Sequence, residues 1–260
     1  MNAEPAGPSA LEELLAAAAD DSLSHHVQPI WDVRAGVVVG VELLLRWPRD
    51  GVAIPVPQHL IAAAAGRSGA TLGLAARGAA AAAARMAGLP SRPFVTLNVA
   101  DAFLEMDVRN GTGWLGPFAE RIPPGQLIFE IVETAEIRNA GRTRTLLRRL
   151  RRAGYRIALD DFGAGRSDLE RLERLPLDAV KLDRALVASA AAGEPGPLAL
   201  LRRAVAVGAA RGIAVVAEGI ESDAQRDAML SEGIDLQQGF LMGRPAPPEE
   251  WADRLLAGGR

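Results

Sequence analysis

Short apolar runs recur along this chain, and helical segments separate most of them. Runs such as FVTLN, LIFEI and IAVVAE have the length and composition of buried strands. A strand followed by a helix, repeated along the chain, predicts a parallel sheet. We place eight strands near His25–Ile30, Gly36–Arg46, Pro93–Asn98, Leu127–Ile131, Arg156–Asp160, Ala179–Leu182, Ile213–Ala217 and Asp235–Gly239. Eight is the number of strands that closes a barrel filled by its own side chains.

The first connection departs from this pattern. Only the short segment Trp31 to Ala35 separates the first two predicted strands. A parallel crossover needs about a dozen residues or more, whereas a tight connection gives an antiparallel hairpin. The sequence therefore predicts an α/β fold, a TIM-like (β/α)8 barrel whose first strand runs antiparallel to the rest.

We divide the chain into residues 1–22, a tail with a short helix, and residues 23–257, the barrel. The short helix covers Leu11–Ala19, because Ser9 can cap it and Glu12 completes a capping box. The alanine-rich segment Gln58–Met86 predicts two helices broken near Gly66–Gly69. The arginine-rich segment Arg142–Arg152 predicts an amphipathic helix with a solvated basic face. A nucleic-acid stripe there is the minority interpretation, because aromatic residues make up only 4% of the chain.

Composition narrows the classes of function. A net charge of −3 gives no argument for binding duplex nucleic acid. The chain has no cysteine, which excludes disulfides, thiolate zinc sites and cysteine nucleophiles and fits a reducing compartment. The N-terminal residues lack the basic and apolar regions of a signal peptide, and no apolar stretch is long enough to span a bilayer. We therefore expect a cytoplasmic protein with no membrane span.

Polar side chains that bind metals or phosphates stand at the ends of the predicted strands. They are Glu42, Asn98, Glu130, Asp160, Asp161, Lys181, Glu218 and Gln238. A single acid at a strand end is more often a helix cap than a ligand. A closed barrel, however, would bring all of these side chains to one mouth. Five carboxylates at that density repel each other unless divalent cations neutralise them, so the pattern indicates a metal-dependent enzyme that acts on a phosphate ester.

Two pairs of adjacent residues lead to opposite expectations. Asp160 and Asp161 close an apolar strand and precede a glycine-rich turn, and two neighbouring acids there suit two cations held close together. His25 and His26 are adjacent within a predicted strand, so they point to opposite faces and cannot easily share a metal.

Eight short motifs follow one another in a fixed order from Val27 to Phe240. They read VQPI, GVELLLRW, TLN, FEIVE, DDFGAGRSDL, VKLDR, AEGIE and DLQQGF. With these motifs, nearly the whole chain resembles the EAL domain family, the cyclic di-GMP phosphodiesterases of bacteria. The naming motif is present as Glu42-Leu43-Leu44, with leucine in place of the family's alanine.

The resemblance implies a role for each strand-end residue. Ligands of one Mg²⁺ or Mn²⁺ would be Glu42, Asn98, Glu130 and Asp160. Asp160 would bridge to a second cation that Asp161 also holds, which makes two cations per active site. Among the other matched positions, Lys181 would orient the attacking water, and Glu218 and Gln238 would hold metal-bound waters. The substrate-binding residues would be Gln28, Arg46 and Gln238, and Glu133 would steady the loop after Asp161.

The implied reaction is hydrolysis of cyclic di-GMP to linear 5′-pGpG. Three residues in or beside the loop after Asp161 depart from the family pattern: Val132, Ala164 and Arg166. They leave open a second hypothesis, a weak or inactive EAL domain that binds cyclic di-GMP or a partner protein. A third, another metal-dependent barrel phosphodiesterase, is disfavoured by the ordered motifs. Members of the family often dimerise near this loop, so a homodimer is also an expectation.

Overall fold

The computed structural model describes residues 9–49, 51–67, 69–99, 116–131, 140–165 and 168–258. The strands in these ranges are β1 (Ser24–Asp32), β2 (Val37–Arg49), β3 (Val52–Pro55), β4 (Phe94–Val99), β5 (Leu127–Ile131), β6 (Arg156–Phe162), β7 (Ala179–Leu182), β8 (Ala214–Ala217) and β9 (Leu236–Gln237). The helices are α1 (Ala10–Ala19), α2 (Gln58–Arg67), α3 (Gly69–Ala87), α4 (Gly116–Ala119), α5 (Ala140–Arg152), α6 (Asp168–Arg174), α7 (Arg184–Ala191), α8 (Pro195–Arg211), α9 (Asp223–Ser231) and α10 (Pro248–Leu256).

Eight of these strands close into a barrel. The order around it is β1-β9-β8-β7-β6-β5-β4-β2, and pairing of β1 with β2 completes the ring. β1 runs antiparallel to both of its neighbours, while the other barrel pairs are parallel. The predicted TIM-like barrel with a reversed first strand is therefore confirmed. The β1–β2 register places Gln28 opposite Glu42.

The strand β3 was not among the eight predicted strands. It pairs antiparallel with the end of β2, from Arg46 to Arg49, where β2 runs on past the predicted boundary. Pro55 ends the strand, and proline is unfavourable within a strand. The missed signal was the Asp50-Gly51 pair between apolar runs, a strong indicator of a hairpin. Gly51 has a φ of +76°, which glycine adopts without steric cost.

The predicted helices are confirmed where the structure describes them. The α1 helix has the expected capping box, with the Ser9 hydroxyl accepting from the Glu12 amide and the Glu12 carboxylate accepting from the Ser9 amide. Leu14 on its buried face packs in a small second core with Trp47 at the end of β2. The segment after β3 forms two helices, α2 and α3. The predicted tail over residues 1–8 lies outside the described residues.

The arginine-rich helix α5 is amphipathic, as predicted. Leu146, Leu147 and Leu150 are buried against the barrel, whereas the arginines Arg148 and Arg149 between them are exposed. The main core lies between the outer face of the barrel and the ring of helices. Among the described helices, none combines the length and hydrophobicity needed to cross a bilayer.

Candidate active site

Lys181 is the centre of the site and the only lysine in the chain. Its Nζ lies 2.6 Å from Glu218 Oε1, 3.1 Å from Glu42 Oε2, 3.1 Å from Glu130 Oε1 and 3.5 Å from Asp160 Oδ1. The side chain of Lys181 is 2% exposed and that of Glu130 is fully buried. Four carboxylates from β2, β5, β6 and the end of β8 thus surround one ammonium group, at the mouth formed by the carboxyl ends of the parallel strands.

Two amide side chains hold Glu42 in place, and a third supports one of them. Asn98 Nδ2 donates to Glu42 Oε1 over 3.0 Å, and Gln238 Nε2 donates to Glu42 Oε2 over 2.7 Å. Gln238 also donates to Gln28 Oε1, and Gln28 in turn donates to the carbonyl oxygen of Gly243. Both oxygens of Glu42 therefore have fixed donors, which sets the direction of the carboxylate before any ligand binds.

The backbone of β6 becomes irregular where its two acids meet. Its pairing with β7 shifts register between Leu159 and Phe162, and Asp161 has a φ of +55°. Adjacent residues of a regular strand point to opposite faces, but this left-handed residue turns Asp161 back toward the mouth. Carboxylate oxygens of Asp160, Asp161 and Glu218 all lie within 4.8 Å of one another. Strain of this kind is typical of functional sites.

Two loops that cross tightly place Glu218 and Gln238. The amide of Gln238 donates to the Ala217 carbonyl over 2.9 Å, and the amide of Ile220 donates to the Gln238 carbonyl over 3.1 Å. A Cβ built on Gly239 would overlap the backbone nitrogen and oxygen of Ile220. Glycine is therefore required at this crossing, and the crossing fixes both polar residues at the rim.

Burial and mutual repulsion raise the pKa values of four acids at the site. Burial raises the pKa of Glu130 well above its ordinary value, and raises the pKa of Asp160 as well, although Lys181 opposes both shifts. Burial, again opposed by Lys181, raises the pKa of Glu218 to about 8. Burial and the neighbouring Asp160 raise the pKa of Asp161 to about 6.

Glu42 and Lys181 keep their charges. Burial opposes ionisation of Glu42, but Lys181 and the hydrogen bonds from Gln238 and Asn98 outweigh it and lower the pKa of this acid. Burial would likewise lower the pKa of Lys181, yet the surrounding carboxylates raise it well above its ordinary value. An ion pair at the centre of the site therefore sits among acids that are costly to ionise without further positive charge.

The donor set fits hard divalent cations. Among the described residues, Asn98 Oδ1 at the mouth has no hydrogen-bond partner, and the buried oxygens Glu130 Oε1 and Asp160 Oδ1 have none beyond their charge contacts with Lys181 Nζ. Unpartnered buried oxygens are costly unless a ligand satisfies them. Carboxylate and amide oxygens are the ligands that Mg²⁺ prefers, and the close group of Asp160, Asp161 and Glu218 adds further oxygens nearby.

The structure brings together most of the residues that the sequence selected. Gathered in one network or cluster are Gln28, Glu42, Asn98, Glu130, Asp160, Asp161, Lys181, Glu218 and Gln238. Arg46 stands apart from this network. It lies on the same face of β2 as Glu42 but nearer the rim, and its guanidinium donates to the Leu45 carbonyl. Glu133, Val132 and Arg166 lie outside the described residues.

Comparison with known proteins places the chain in a family. The sequence model of the EAL domain matches residues 11–245. The chain therefore belongs to the EAL domain family, in agreement with the barrel and the motifs at its mouth.

Three similar proteins illustrate the relationship. The cyclic di-GMP phosphodiesterase RocR of Pseudomonas aeruginosa is 40% identical over 132 residues, which is 51% of this chain and 33% of RocR. The structure of the PaMucR phosphodiesterase in complex with c-di-GMP has a TM-score of 0.77 at 28% identity and covers 93% of this chain and 99% of that one. A manganese and cy-diGMP complex of Klebsiella pneumoniae BlrP1 has a TM-score of 0.73 at 30% identity. The match covers 86% of this chain and 56% of the BlrP1 chain.

The chain corresponds to one part of its curated relatives. It spans 33%, 22% and 28% of the length of RocR, of the bifunctional MucR and of a signaling protein from Caulobacter vibrioides.

Proposed function

We propose that this chain hydrolyses cyclic di-GMP to linear 5′-pGpG with the help of two divalent cations, Mg²⁺ or Mn²⁺. The observation that carries the proposal is the cluster of Glu42, Glu130, Asp160 and Glu218 around Lys181 at the barrel mouth. Support also comes from two similar phosphodiesterases, RocR and PaMucR, and from the dinucleotides bound in the PaMucR and BlrP1 complexes.

The ligand roles follow from the donor set. Glu42, Asn98, Glu130 and Asp160 would hold one cation, and Asp160 with Asp161 would hold the second. When bound, such cations would supply Lewis-acid chemistry, which polarises a phosphodiester and lowers the pKa of a water. Asp160 is the one acid that belongs both to the Lys181 cluster and to the close group with Asp161, which suits a bridging ligand.

The remaining residues position the reactants. Lys181 directs a fixed ammonium group into the site, and in this proposal it orients the attacking water while Glu218 accepts a hydrogen bond from that water. Gln238 keeps Glu42 aimed at the cations through its 2.7 Å hydrogen bond. Gln28 and Arg46 would contact the dinucleotide, and Glu133 would support the loop after Asp161.

A turnover assay tests the proposal. Purified protein is incubated with cyclic di-GMP and Mg²⁺ or Mn²⁺, and pGpG is measured by chromatography. We expect product with the unaltered chain and a loss of at least about 100-fold in kcat for Asp160→Asn, with a much smaller effect on substrate affinity, because this carboxylate acts mainly in the transition state. Glu120→Gln, which alters an exposed acid outside the site, is the control and should leave the rate unchanged.

The second candidate function is binding without turnover. The loop after Asp161 carries Ala164, an exposed residue at a position where the family has threonine. Absence of pGpG together with tight binding of cyclic di-GMP that does not depend on cations would favour this candidate. Absence of both product and binding would reject cyclic di-GMP as the ligand. A homodimer through this loop, and a cytoplasmic location, remain predictions for sedimentation and fractionation experiments.

A further inference from the structure

The barrel has a second opening, at the end opposite the carboxylate cluster. A cavity of about 440 Å³ lies there. Its lining includes residues at the beginning of the parallel strands, such as Phe94, Ala179 and Ala214, and Ile30 near the end of the reversed strand β1. Gly212 and Arg156 stand at its mouth. The cavity is thus a separate entrance to the barrel interior.

Three alanines on neighbouring strands account for this space. Ala158, Ala179 and Ala214 occupy inward positions on β6, β7 and β8, and all three line the cavity. Bulky branched residues dominate such positions in most barrels and fill the interior. Here Ala158 packs with Ile128 on one side, while Ala214 is exposed at the mouth. The cavity therefore follows directly from the sequence of three strands.

The inner end of the cavity is polar. Thr96 is 3% exposed, lines the cavity, and its Oγ1 has no hydrogen-bond partner among the described residues. Glu130 borders the same space, is fully buried, and is one of the carboxylates around Lys181. Native proteins rarely leave a buried oxygen such as Thr96 Oγ1 unsatisfied. The Thr96 hydroxyl can accept a hydrogen bond from a molecule inside the cavity.

The charges at the inner end select the ligand. An anion would face the carboxylate of Glu130, and a cation would face the ammonium group of Lys181, which also borders the cavity. Burying either charge there is costly. Ile30, Phe94 and Leu236 make much of the wall apolar, while Arg156 and Asp178 also border the cavity. A neutral molecule with an apolar body and a hydrogen-bond donor at one end meets all of these conditions.

We propose that this cavity is a binding site for a small neutral alcohol or phenol, whose hydroxyl group donates to Thr96. Glu130 and Lys181 form the wall between this site and the active site, since both border the cavity and both belong to the carboxylate cluster. A bound alcohol therefore lies directly behind Glu130 and alters turnover. That last consequence rests on the proposed function, whereas binding itself does not.

The test uses four probes that share one ring and differ in the attached group: benzyl alcohol, toluene, benzoate and benzylammonium. Because Lys181 is the only lysine, protein labelled with ¹⁵N at the lysine side chain gives one resonance, which borders the cavity. We expect benzyl alcohol to shift this resonance saturably with a Kd on the order of 1 mM, typical of so small a ligand. Toluene should bind at least about fivefold more weakly than benzyl alcohol does. The two charged probes should leave the signal unchanged.

Two variants locate the site. Ala214→Leu fills the exposed mouth and should weaken benzyl alcohol binding by about tenfold or more. Ala206→Leu, at an exposed position on α8 away from the cavity, is the matched control and should bind as the unaltered chain does. Thr96→Val keeps the shape of the side chain but removes the hydroxyl, so it should reduce the preference for benzyl alcohol over toluene.

The outcomes separate the two proposals. Saturable binding that Ala214→Leu removes and Ala206→Leu preserves supports the cavity site, whether or not the protein produces pGpG. Equal binding of all four probes, no binding of benzyl alcohol, or binding that Ala214→Leu leaves intact overturns it. A turnover rate that stays constant as benzyl alcohol saturates the site would overturn only the coupling to the active site.

Discussion

The Nζ of Lys181 lies 2.6 Å from Oε1 of Glu218, and this ion pair joins the end of β7 to the loop after β8. The rest of the chain uses arginine as its basic residue, with 28 of the 29 basic residues, yet this position holds lysine. A compact ammonium group can approach four carboxylates at once, whereas a planar guanidinium group needs a wider space. The geometry of the site therefore explains why lysine occupies this position in a chain that otherwise uses arginine.

Replacing Lys181 by arginine tests this interpretation. Lys181→Arg keeps the charge but overfills a space in which the side chain is 2% exposed, so we expect a loss of about 1–3 kcal/mol in the free energy of unfolding. We also expect turnover to fall at least about 100-fold, because the carboxylates must move apart. Urea unfolding and the pGpG assay measure the two effects.

Lys181→Met provides the comparison for charge. It leaves the buried carboxylates without a counter-charge, and the loss in cation-free buffer should be about 3–5 kcal/mol. If Lys181→Arg retains full activity and stability, the argument from side-chain shape is wrong.

The backbone of Asp161 supports a second prediction. Its φ of +55° is unfavourable for a residue with a Cβ, and its carboxylate repels that of Asp160. Asp161→Gly should therefore unfold at higher urea concentration than Asp161→Ala, with a difference of about 1 kcal/mol, because only glycine adopts this conformation freely. Both variants should lose turnover by at least about 100-fold. Equal stability of the two variants would contradict the assignment of strain.

Asp161 also shows which features of the site the sequence predicts and which it does not. The pattern of apolar runs was sufficient for the barrel, since strand spacing and a connection too short for a crossover fix the topology. The acids at the strand ends were also identified, because parallel strands must place them at one mouth. The alternation rule, applied to His25 and His26, would have sent Asp160 and Asp161 to opposite faces. Only the irregular pairing of β6 brings both to the mouth, and no local pattern predicts that pairing.

Other features depend on contacts between distant segments. The cavity behind Glu130 arises from small residues on three strands, and its volume depends on the stagger of the strands around the barrel. The amide network from Gly243 through Gln28 and Gln238 to Glu42 depends on side-chain directions that sequence spacing leaves open. The sequence therefore predicts where the site lies, whereas its internal geometry depends on how distant segments pack together.

The loop crossing at Gly239 gives a third prediction. An added Cβ would overlap backbone atoms of Ile220, and backbone cannot yield as a flexible side chain can. We expect Gly239→Ala to lower the free energy of unfolding by about 3 kcal/mol and to lower turnover, since Gln238 and Glu218 both shift. Gly196→Ala is the matched control, because a Cβ there meets nothing within 4 Å and the residue lies in the first turn of α8. That control should be neutral, as measured by urea unfolding, and equal stability of the two variants would disprove the crossing argument.

The fourth prediction concerns acid sensitivity at His25 on β1. Burial, with a contribution from the nearby Arg46, lowers the pKa of His25 from 6.5 to about 4. The folded state therefore binds fewer protons at His25 than the unfolded state does between these two values, and stability falls as pH drops through that window. The shift corresponds to at most about 3 kcal/mol, and because part of the residue remains accessible to solvent, we expect about 2 kcal/mol.

The measurement is the free energy of unfolding between pH 7 and pH 4 in cation-free buffer. His25→Gln has no titrating ring, so the difference in stability between the unaltered chain and this variant should decline by about 2 kcal/mol over that range. His59→Gln, which replaces an exposed histidine on α2, is the control for removing a histidine elsewhere in the chain. The pH dependence that the carboxylate cluster contributes is common to all three proteins and cancels in the differences. A constant difference for His25→Gln would mean that the folded protein accepts the proton on His25 without penalty, and the burial argument for this residue would fail.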